Sequence, residues 1–136
     1  MNVIKLLDSS PLGMARRGLL DLTRGDLNDF RRQKPVPREA IVLAGAMCVL
    51  LQIKPSWKSV RKLLSEASIQ EFLTELKPKH VEQENIRLAR QLLSAEAEME
   101  ALVRASKERA TKILHRWIIA FTDPVSLAAG VADGSQ

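Results

Sequence analysis

The chain is poor in the residues that most recognisable functional sites require. Its 136 residues include one cysteine, Cys48, two histidines, His80 and His115, and no tyrosine. A single cysteine excludes an intramolecular disulfide and cysteine-rich zinc sites, and it fits a reducing compartment. The two histidines belong to no recognisable metal-binding motif. Aromatic residues make up only 4% of the chain, which argues against a stacking platform for single-stranded nucleic acid.

Sequence motifs for catalysis and nucleotide binding are also missing. The chain contains no Gly-rich dinucleotide or phosphate-binding loop and no Gly-x-Ser-x-Gly turn. Cys48 lies in a strongly apolar stretch, which favours a packing role over a nucleophile. Glu96, Glu98 and Glu100 are better explained as the acidic first turn of a helix than as paired catalytic acids. The sequence therefore predicts neither an enzyme nor a bound cofactor or metal.

Long hydrophobic runs are absent as well. The longest apolar stretch, Ala40–Leu51, has 12 residues, whereas a membrane-spanning helix needs about 20. The first residues include Asp8 and make a poor signal peptide. We therefore expect an intracellular protein without a membrane partner.

Positive charge is concentrated in the first half of the chain. Residues 1–62 carry 12 Lys/Arg against 5 Asp/Glu, and residues 63–136 carry 9 against 11. A basic half suggests an anionic partner, which could be nucleic acid, an acidic protein surface or a membrane. The competing interpretation is that these side chains only keep a small domain soluble.

The hydrophobic pattern predicts an all-α domain, a compact bundle of about six short helices around one central apolar helix. Helix-forming residues dominate, and no segment alternates as a strand does. The predicted organisation is an N-terminal extension at 1–18, with a turn at Ser9–Gly13, a helical bundle at 19–121, and a flexible tail at 122–136.

The expected helices follow from apolar spacing and capping residues. The first contains Leu19, Leu22, Leu27 and Phe30 and is interrupted at Gly25, with Asp26 as a new N-cap. The central helix, from about Pro37 to Gln52, is apolar around almost its whole circumference and is expected to be buried on most sides. A third helix is capped by Ser56 and contains Trp57, Val60, Leu63 and Leu64, and Trp57 is expected to lie in the core.

Three more helices complete the prediction. Ser68, with Glu71 as its capping-box partner, begins a helix that buries Ile69, Phe72 and Leu73. The next spans about Val81 to Leu93, burying Val81, Ile86, Leu88, Ala89 and Leu92, with Arg87 and Arg90 on its opposite face. Ser94 caps the last helix, which runs to about Phe121; its apolar stripe is Val103, Ala110, Leu114, Trp117 and Phe121.

The order of these motifs resembles the microtubule-binding domain at the tip of the dynein heavy chain stalk, especially the axonemal type. The specific part is Cys48–Trp57, which reads Cys-x-Leu-Leu-x-x-Lys-Pro-x-Trp as the family does, followed by Arg61–Leu64. Matches before and after it are looser: Leu19, Leu22, Asp26, Leu27 and Phe30, the Val36–Pro37 turn, and Leu114, Trp117 and Ala120. The resemblance covers about residues 19–121.

This resemblance implies a function in binding tubulin as the track-binding part of a minus-end-directed motor. Tubulin has an acidic surface, so basic side chains on the docking helices would steer and strengthen association. The positions implied to contact the microtubule are Arg38, Lys54, Lys58, Arg87 and Arg90, with Arg104 and Arg109 on the last helix. The expected partners are tubulin and other dynein subunits, in the cytoplasm, on the cytoskeleton or in the ciliary axoneme.

Two other functional classes stay open. One is a helical scaffold or adaptor that kept the fold and lost tubulin binding, because Ile41 and Gly45 depart from the family's residues in the central helix. The other is a nucleic-acid-binding module, which would need a recognition helix with clustered Arg, Asn or Gln that the chain lacks. Neither flank has coiled-coil heptads and no ATPase module is present, so we expect a stalk-tip domain, a fragment or a diverged relative.

Overall fold

The computed structural model describes residues 10–124, and these form α-helices, one 3₁₀ turn and no strand. The predicted all-α class is confirmed, with eight α-helices in this range in place of about six. They are α1 (Pro11–Asp21), α2 (Arg24–Arg31), α3 (Arg38–Leu51), α4 (Trp57–Leu64), α5 (Ile69–Glu75), α6 (Gln83–Ala95), α7 (Met99–Ala105) and α8 (Arg109–Phe121), with the 3₁₀ turn at Pro78–His80.

The first helix begins earlier than the sequence pattern predicted. The Ser10 hydroxyl accepts a hydrogen bond from the Gly13 N–H at 3.0 Å, and Pro11 occupies the first turn, where its missing N–H costs nothing. The turn predicted at Ser9–Gly13 is therefore wrong from Ser10 onward, and α1 continues across the boundary predicted at residue 19. Residues 1–9, and the predicted flexible tail from 125 on, lie outside the described residues.

The break between α1 and α2 is set by Thr23, not by Asp26. The Thr23 side chain accepts from the Asp26 N–H at 3.0 Å, and an Asp26 carboxylate oxygen accepts from the Thr23 N–H at 3.0 Å. This reciprocal capping box satisfies two N–H groups that a helix N-terminus leaves without partners. Asp26 is thus the third helical residue, and Gly25 lies inside α2.

Helix α3 forms the centre of the bundle, as predicted. It packs against α4, α6, α7 and α8. Leu43, Met47 and Leu50 are buried in the core, and Cys48 is 0% exposed. Burial raises the pKa of the Cys48 thiol, since the thiolate would lose its hydration. Burial is incomplete on one side, where Ile41 remains 55% exposed.

The single final helix predicted from Ser94 to about Phe121 is divided in the structure among the last turn of α6, α7 and α8. Ser94 does not cap it; this residue lies in the last turn of α6, and its hydroxyl donates to the Arg90 carbonyl. Between α7 and α8, the Ser106 hydroxyl accepts from the Glu108 N–H at 3.1 Å. Such local side-chain bonding competes with the helical backbone pattern and ends α7 without a proline or glycine.

The core stripe of the last helix is confirmed, whereas several expected core positions are not. Val103, Ala110, Leu114, Trp117 and Phe121 are all buried. In contrast, Phe72 is 49% and Leu88 41% exposed, and Trp57 is only partly buried, with its ring against Phe30. Ser68 makes no side-chain cap. Helix α5 has seven residues, and a helix this short buries one narrow stripe.

Candidate binding surface

A tight turn after α3 places the first basic side chains of the candidate surface. Gln52 adopts the left-handed conformation (φ 56°), the Ile53 N–H donates to the Cys48 carbonyl, and the Gln52 N–H donates to Val49. These two bonds form a Schellman motif, which ends a helix and redirects the chain. Lys54 is exposed in this turn, and the Ser56 hydroxyl then caps α4 by accepting from the Ser59 N–H at 3.0 Å.

One side of α4 is basic. Lys58 precedes Arg61 and Lys62 by three and four residues, which puts the three side chains on one face of the helix. The opposite face buries Val60 and Leu64. All three basic side chains are exposed.

Helix α2 lies beside α4 and adds further positive charge. The Arg31 Nε donates to the Arg61 carbonyl at 2.8 Å, and the rings of Phe30 and Trp57 have centroids 5.4 Å apart. The end of α2 is therefore held against α4, and the exposed residues Arg32 and Lys34 follow at this place. We call the combined surface the basic face; it consists of Arg32, Lys34, Lys54, Lys58, Arg61 and Lys62.

The segment that carries the basic face, residues 31–65, holds the excess charge of the whole chain. Residues 31–65 contain eight Lys/Arg and one acid, Glu39, a net charge of +7, while the rest of the chain carries −2. Glu39 is buried at 9% exposure. Within residues 10–124, no member of the basic face forms a salt bridge. These six cations are therefore available to an anionic partner.

Of the seven positions implied by the resemblance, Lys54 and Lys58 lie on the basic face. Arg38 is also exposed, but it begins α3, whereas Lys54 follows the other end of that helix. A helix of 14 residues is about 20 Å long, so the two cations are well separated. Arg38 is also engaged: its guanidinium pairs with Glu96 at 3.1 Å.

Arg87 and Arg90 do not share the outward face of α6. Arg87 is exposed and pairs with Glu84 on the same helix. Arg90 is turned toward α8, where one guanidinium nitrogen donates to the Ile119 carbonyl at 2.8 Å and to the Thr122 hydroxyl at 3.4 Å. The expectation that both project away from the apolar stripe is wrong for Arg90, because its side chain binds the end of α8.

Arg104 and Arg109 lie on separate parts of the surface. Arg104 is exposed in the last turn of α7. Arg109 begins α8 and forms salt bridges with Asp21 and with Asp26, the latter at 3.0 Å. Hydrogen bonding to Asp21 is the main reason that the pKa of Arg109 is raised. The structure therefore does not bring the seven implied positions together.

A second group of arginines makes hydrogen bonds to other helices of the same chain, and we call it the carbonyl-bound arginines. Each donates to a main-chain carbonyl near the end of another helix. The five are Arg16 to Leu76, Arg24 to Leu64 and Glu66, Arg31 to Arg61, Arg90 to Ile119, and Arg109 to Asp21. The last turns of α1, α5 and α8 contain no basic residue of their own. Arginines from other helices therefore supply the positive charge that helix C-termini favour.

The basic face could have been found in part from the sequence. Counting charge over residues 31–65 instead of residues 1–62 identifies the segment that carries the basic face, because residues 1–30 have no net charge. Arg32, Lys34, Arg61 and Lys62 were not among the contact positions that the resemblance implied, although Arg61 and Lys62 lie in the matching stretch. Their grouping depends on the contact between α2 and α4, which no local pattern reveals.

A groove of about 470 Å³ lies between α6, α7 and α8. Arg90, Arg104 and His115 line it together with Glu96, Glu98 and Glu100. Burial lowers the pKa of His115; Glu100 opposes this shift and Arg90 adds to it. Because both signs of charge meet in the groove, it does not select an anion as the basic face does.

Neither a metal centre nor a recognised relative defines the site further. Within residues 10–124, no three His, Cys, Asp or Glu side chains are grouped as metal ligands would be. In the same range, no helix has both the length and the hydrophobicity that crossing a membrane requires. No protein-family model, curated protein or solved structure matches the chain. The basic face is the best-defined candidate surface.

Proposed function

We propose that this chain binds microtubules through the basic face and acts as a track-binding module of the dynein stalk-tip kind. The observation that carries the proposal is the basic face itself, six exposed cations without salt bridges among the described residues. The Cys48–Trp57 stretch that resembles the stalk tip forms the turn and helix start from which Lys54 and Lys58 project.

The chemistry of the basic face fits an extended acidic surface. Four of its six cations are lysines, whose ammonium groups are flexible, strongly hydrated point charges. Such groups do not impose the planar two-point geometry by which arginine recognises a single carboxylate or phosphate. They contribute mainly to long-range attraction, and salt screens them over about 8–10 Å. Binding should therefore be weak, rapid and steeply dependent on salt concentration.

The scaffold alternative has one observation in its favour. The outward side of α3, which the resemblance would put near the microtubule, presents Ile41, where the family has Lys or Val, and Gly45, where the family has an acidic residue. In our proposal the contact therefore lies on α4 and the end of α2, and α3 is left for another role. A nucleic-acid partner has no comparable support, because α4 has only eight residues and no Asn or Gln.

The test is co-pelleting of the purified chain with polymerised microtubules at low and raised salt concentrations. We expect the wild type to bind at low salt and to dissociate as salt is added. The double reversal Lys58→Glu/Lys62→Glu should weaken binding about tenfold, because rim charges govern association and its salt dependence. The matched control is Lys107→Glu/Lys112→Glu, which makes the same charge change at exposed lysines near α8.

Three results would overturn the proposal. Absence of the wild type from the pellet at low salt would favour the scaffold. Equal losses in the two double variants would show that net charge matters and the basic face does not. Binding to a duplex DNA fragment as strong as binding to microtubules, measured at the same salt concentration, would indicate a general polyanion binder.

A further inference from the structure

The outer side of the α3–α6 pair is apolar, and no other helix within residues 10–124 covers it. Ile41, Gly45 and Val49 follow one another at four-residue spacing on α3, and Leu88 and Leu92 do so on α6. We call this surface the apolar strip. Ile41 is 55% and Leu88 41% exposed, while Val49 and Leu92 are half-buried. A side chain added at Gly45 would meet only the Leu92 Cδ1, at 4.0 Å, which links the two helices in one surface.

This exposure is unusual because α3 is otherwise the most buried helix of the bundle. Its remaining apolar side chains lie in the core or pack against it. Large apolar side chains scattered singly on a surface need no explanation, but a contiguous group on two packed helices is typical of an interaction site. Gly45 has no side chain and leaves a shallow depression in the middle of the apolar strip, where another backbone can approach closely.

Each end of the apolar strip carries one positive and one negative side chain. Arg38 and Glu96 form a salt bridge at one end, which shows that α3 and α6 run antiparallel, since Arg38 begins α3 and Glu96 follows α6. Glu84 and Arg87 form a salt bridge near the other end. Arg38, Glu84 and Arg87 are 65%, 72% and 64% exposed, so a partner could reach these side chains and exchange the salt bridges that they make within one copy.

We propose that the apolar strip is the interface of a homodimer, with a second copy of this chain related by a two-fold axis near Gly45. A two-fold rotation lays the Arg38 end of one copy over the Glu84 end of the other. Arg38 then faces Glu84 of the second copy, and Arg87 faces Glu96 of the second copy, while Ile41 and Leu88 pack in the middle. The surface is thus complementary to itself in charge and in hydrophobicity, as a two-fold interface must be.

The proposed interface leaves the basic face free. None of its residues belongs to the apolar strip, so the dimer would present two basic faces to an acidic surface. Linking two weak sites raises overall avidity without any new contact. The homodimer does not depend on microtubule binding, and either proposal can fail alone.

Sedimentation velocity of the full chain, at concentrations from about 1 μM to 1 mM, measures the association directly. We expect a monomer–dimer equilibrium for the wild type. Ile41→Asp should shift it toward the monomer by at least about tenfold in the dissociation constant, because the aspartate would be desolvated against an apolar partner. Leu88→Asp should do the same. Leu20→Asp is the control, since Leu20 is equally exposed at 56% but lies on α1.

A charge exchange tests the two-fold arrangement. Arg38→Glu and Glu84→Arg should each weaken the dimer, because each brings like charges together across the interface, besides replacing the salt bridge with Glu96 or Arg87 in the same copy by a repulsion. The double variant Arg38→Glu/Glu84→Arg should restore association, with circular dichroism confirming the fold of every variant. A wild type that is monomeric throughout, a control as damaging as Ile41→Asp, or a double variant that stays monomeric would each overturn the proposal.

Discussion

The carbonyl-bound arginines and the basic face show two uses of positive charge in one small domain. Arg90 reaches across to the end of α8 and is half-buried, whereas Lys58 and Lys62 extend into solvent from α4 without a salt bridge among the described residues. The first kind holds helices together by satisfying carbonyl groups. The second kind contributes little to the fold and is free for a partner.

The comparison teaches that the type of basic residue follows its task. All five carbonyl-bound residues are arginines, and four of the six members of the basic face are lysines. A guanidinium offers five N–H donors in a fixed plane, so one side chain can reach two carbonyls at once, as Arg24 does with Leu64 and Glu66. An ammonium group keeps its hydration and acts at a distance.

Removing a carbonyl-bound arginine should have the largest effect on stability. Arg90→Met keeps an apolar stem and loses the bonds to Ile119 and Thr122, and we expect the free energy of unfolding to fall by about 1–2 kcal/mol. Arg87→Met, the exposed neighbour on the same helix, should change it by less than about 0.5 kcal/mol. Urea titration monitored by circular dichroism measures both. Equal losses of stability in Arg90→Met and Arg87→Met would show that binding a carbonyl does not distinguish Arg90 from an exposed cation.

Acid should weaken the junction that Arg109 makes between α1, α2 and α8. The pKa of Asp26 is lowered, first by the backbone N–H of Thr23 and then by the Thr23 side chain and the Arg109 guanidinium. The folded state therefore binds this proton less readily than the unfolded state. The resulting stabilisation is complete well above the usual aspartate pKa of about 3.9 and is lost as the pH falls through the folded value.

Asp26→Asn measures this contribution. At pH 7 we expect the variant to be less stable by under about 1 kcal/mol, as for the loss of a capping residue. The difference should shrink as the pH falls from the usual aspartate pKa of about 3.9 through the lowered folded pKa of Asp26, where the folded wild-type carboxylate also takes up its proton. Asp29→Asn on the same helix, at an exposed residue without a salt bridge among the described residues, is the control. A difference independent of pH would assign the effect to packing.

Neutralising the basic face should have the smallest effect on the fold. Lys58→Ala should alter the free energy of unfolding by no more than about 0.5 kcal/mol, as expected for a solvated surface residue. Trp57→Ala should lower the free energy of unfolding by more than Lys58→Ala does, because the Trp57 ring packs against Phe30. Thermal unfolding of both variants checks this. A marked loss of stability in Lys58→Ala would show that Lys58 supports the fold, as the carbonyl-bound arginines do.

The sequence predicted the parts of the fold that local rules decide. Leu19, Leu22, Leu27 and Phe30 are buried as their spacing indicated, and Ser56 caps α4. The break after α7 was missed, because it depends on the Ser106 hydroxyl bonding the backbone, and the apolar spacing continues across it. Helix α3 was expected to be buried on most sides, and periodicity alone did not show that Ile41 lies on its exposed side, because the apolar pattern cannot tell which side of a central helix lacks a neighbour.

The candidate surface was less predictable than the fold. Lys54 and Lys58 were identified, whereas Arg90 and Arg109 turn out to hold helix ends. An arginine that binds a carbonyl 29 residues away looks the same in the sequence as one that faces solvent. The distinction arises only when helices pack, so charge patterns locate basic segments but do not show which cations are free.

The long reach of the carbonyl-bound arginines has a consequence for how the domain opens. Arg109 and Asp21 are 88 residues apart, and Arg16 and Leu76 are 60 apart. The end of α1 therefore depends on the start of α8, and the end of α5 depends on α1. Helix ends normally fray first and exchange their amide hydrogens quickly. Here such fraying would need a distant helix to move as well, so protection from exchange should persist into the final turns of α1, α5 and α8.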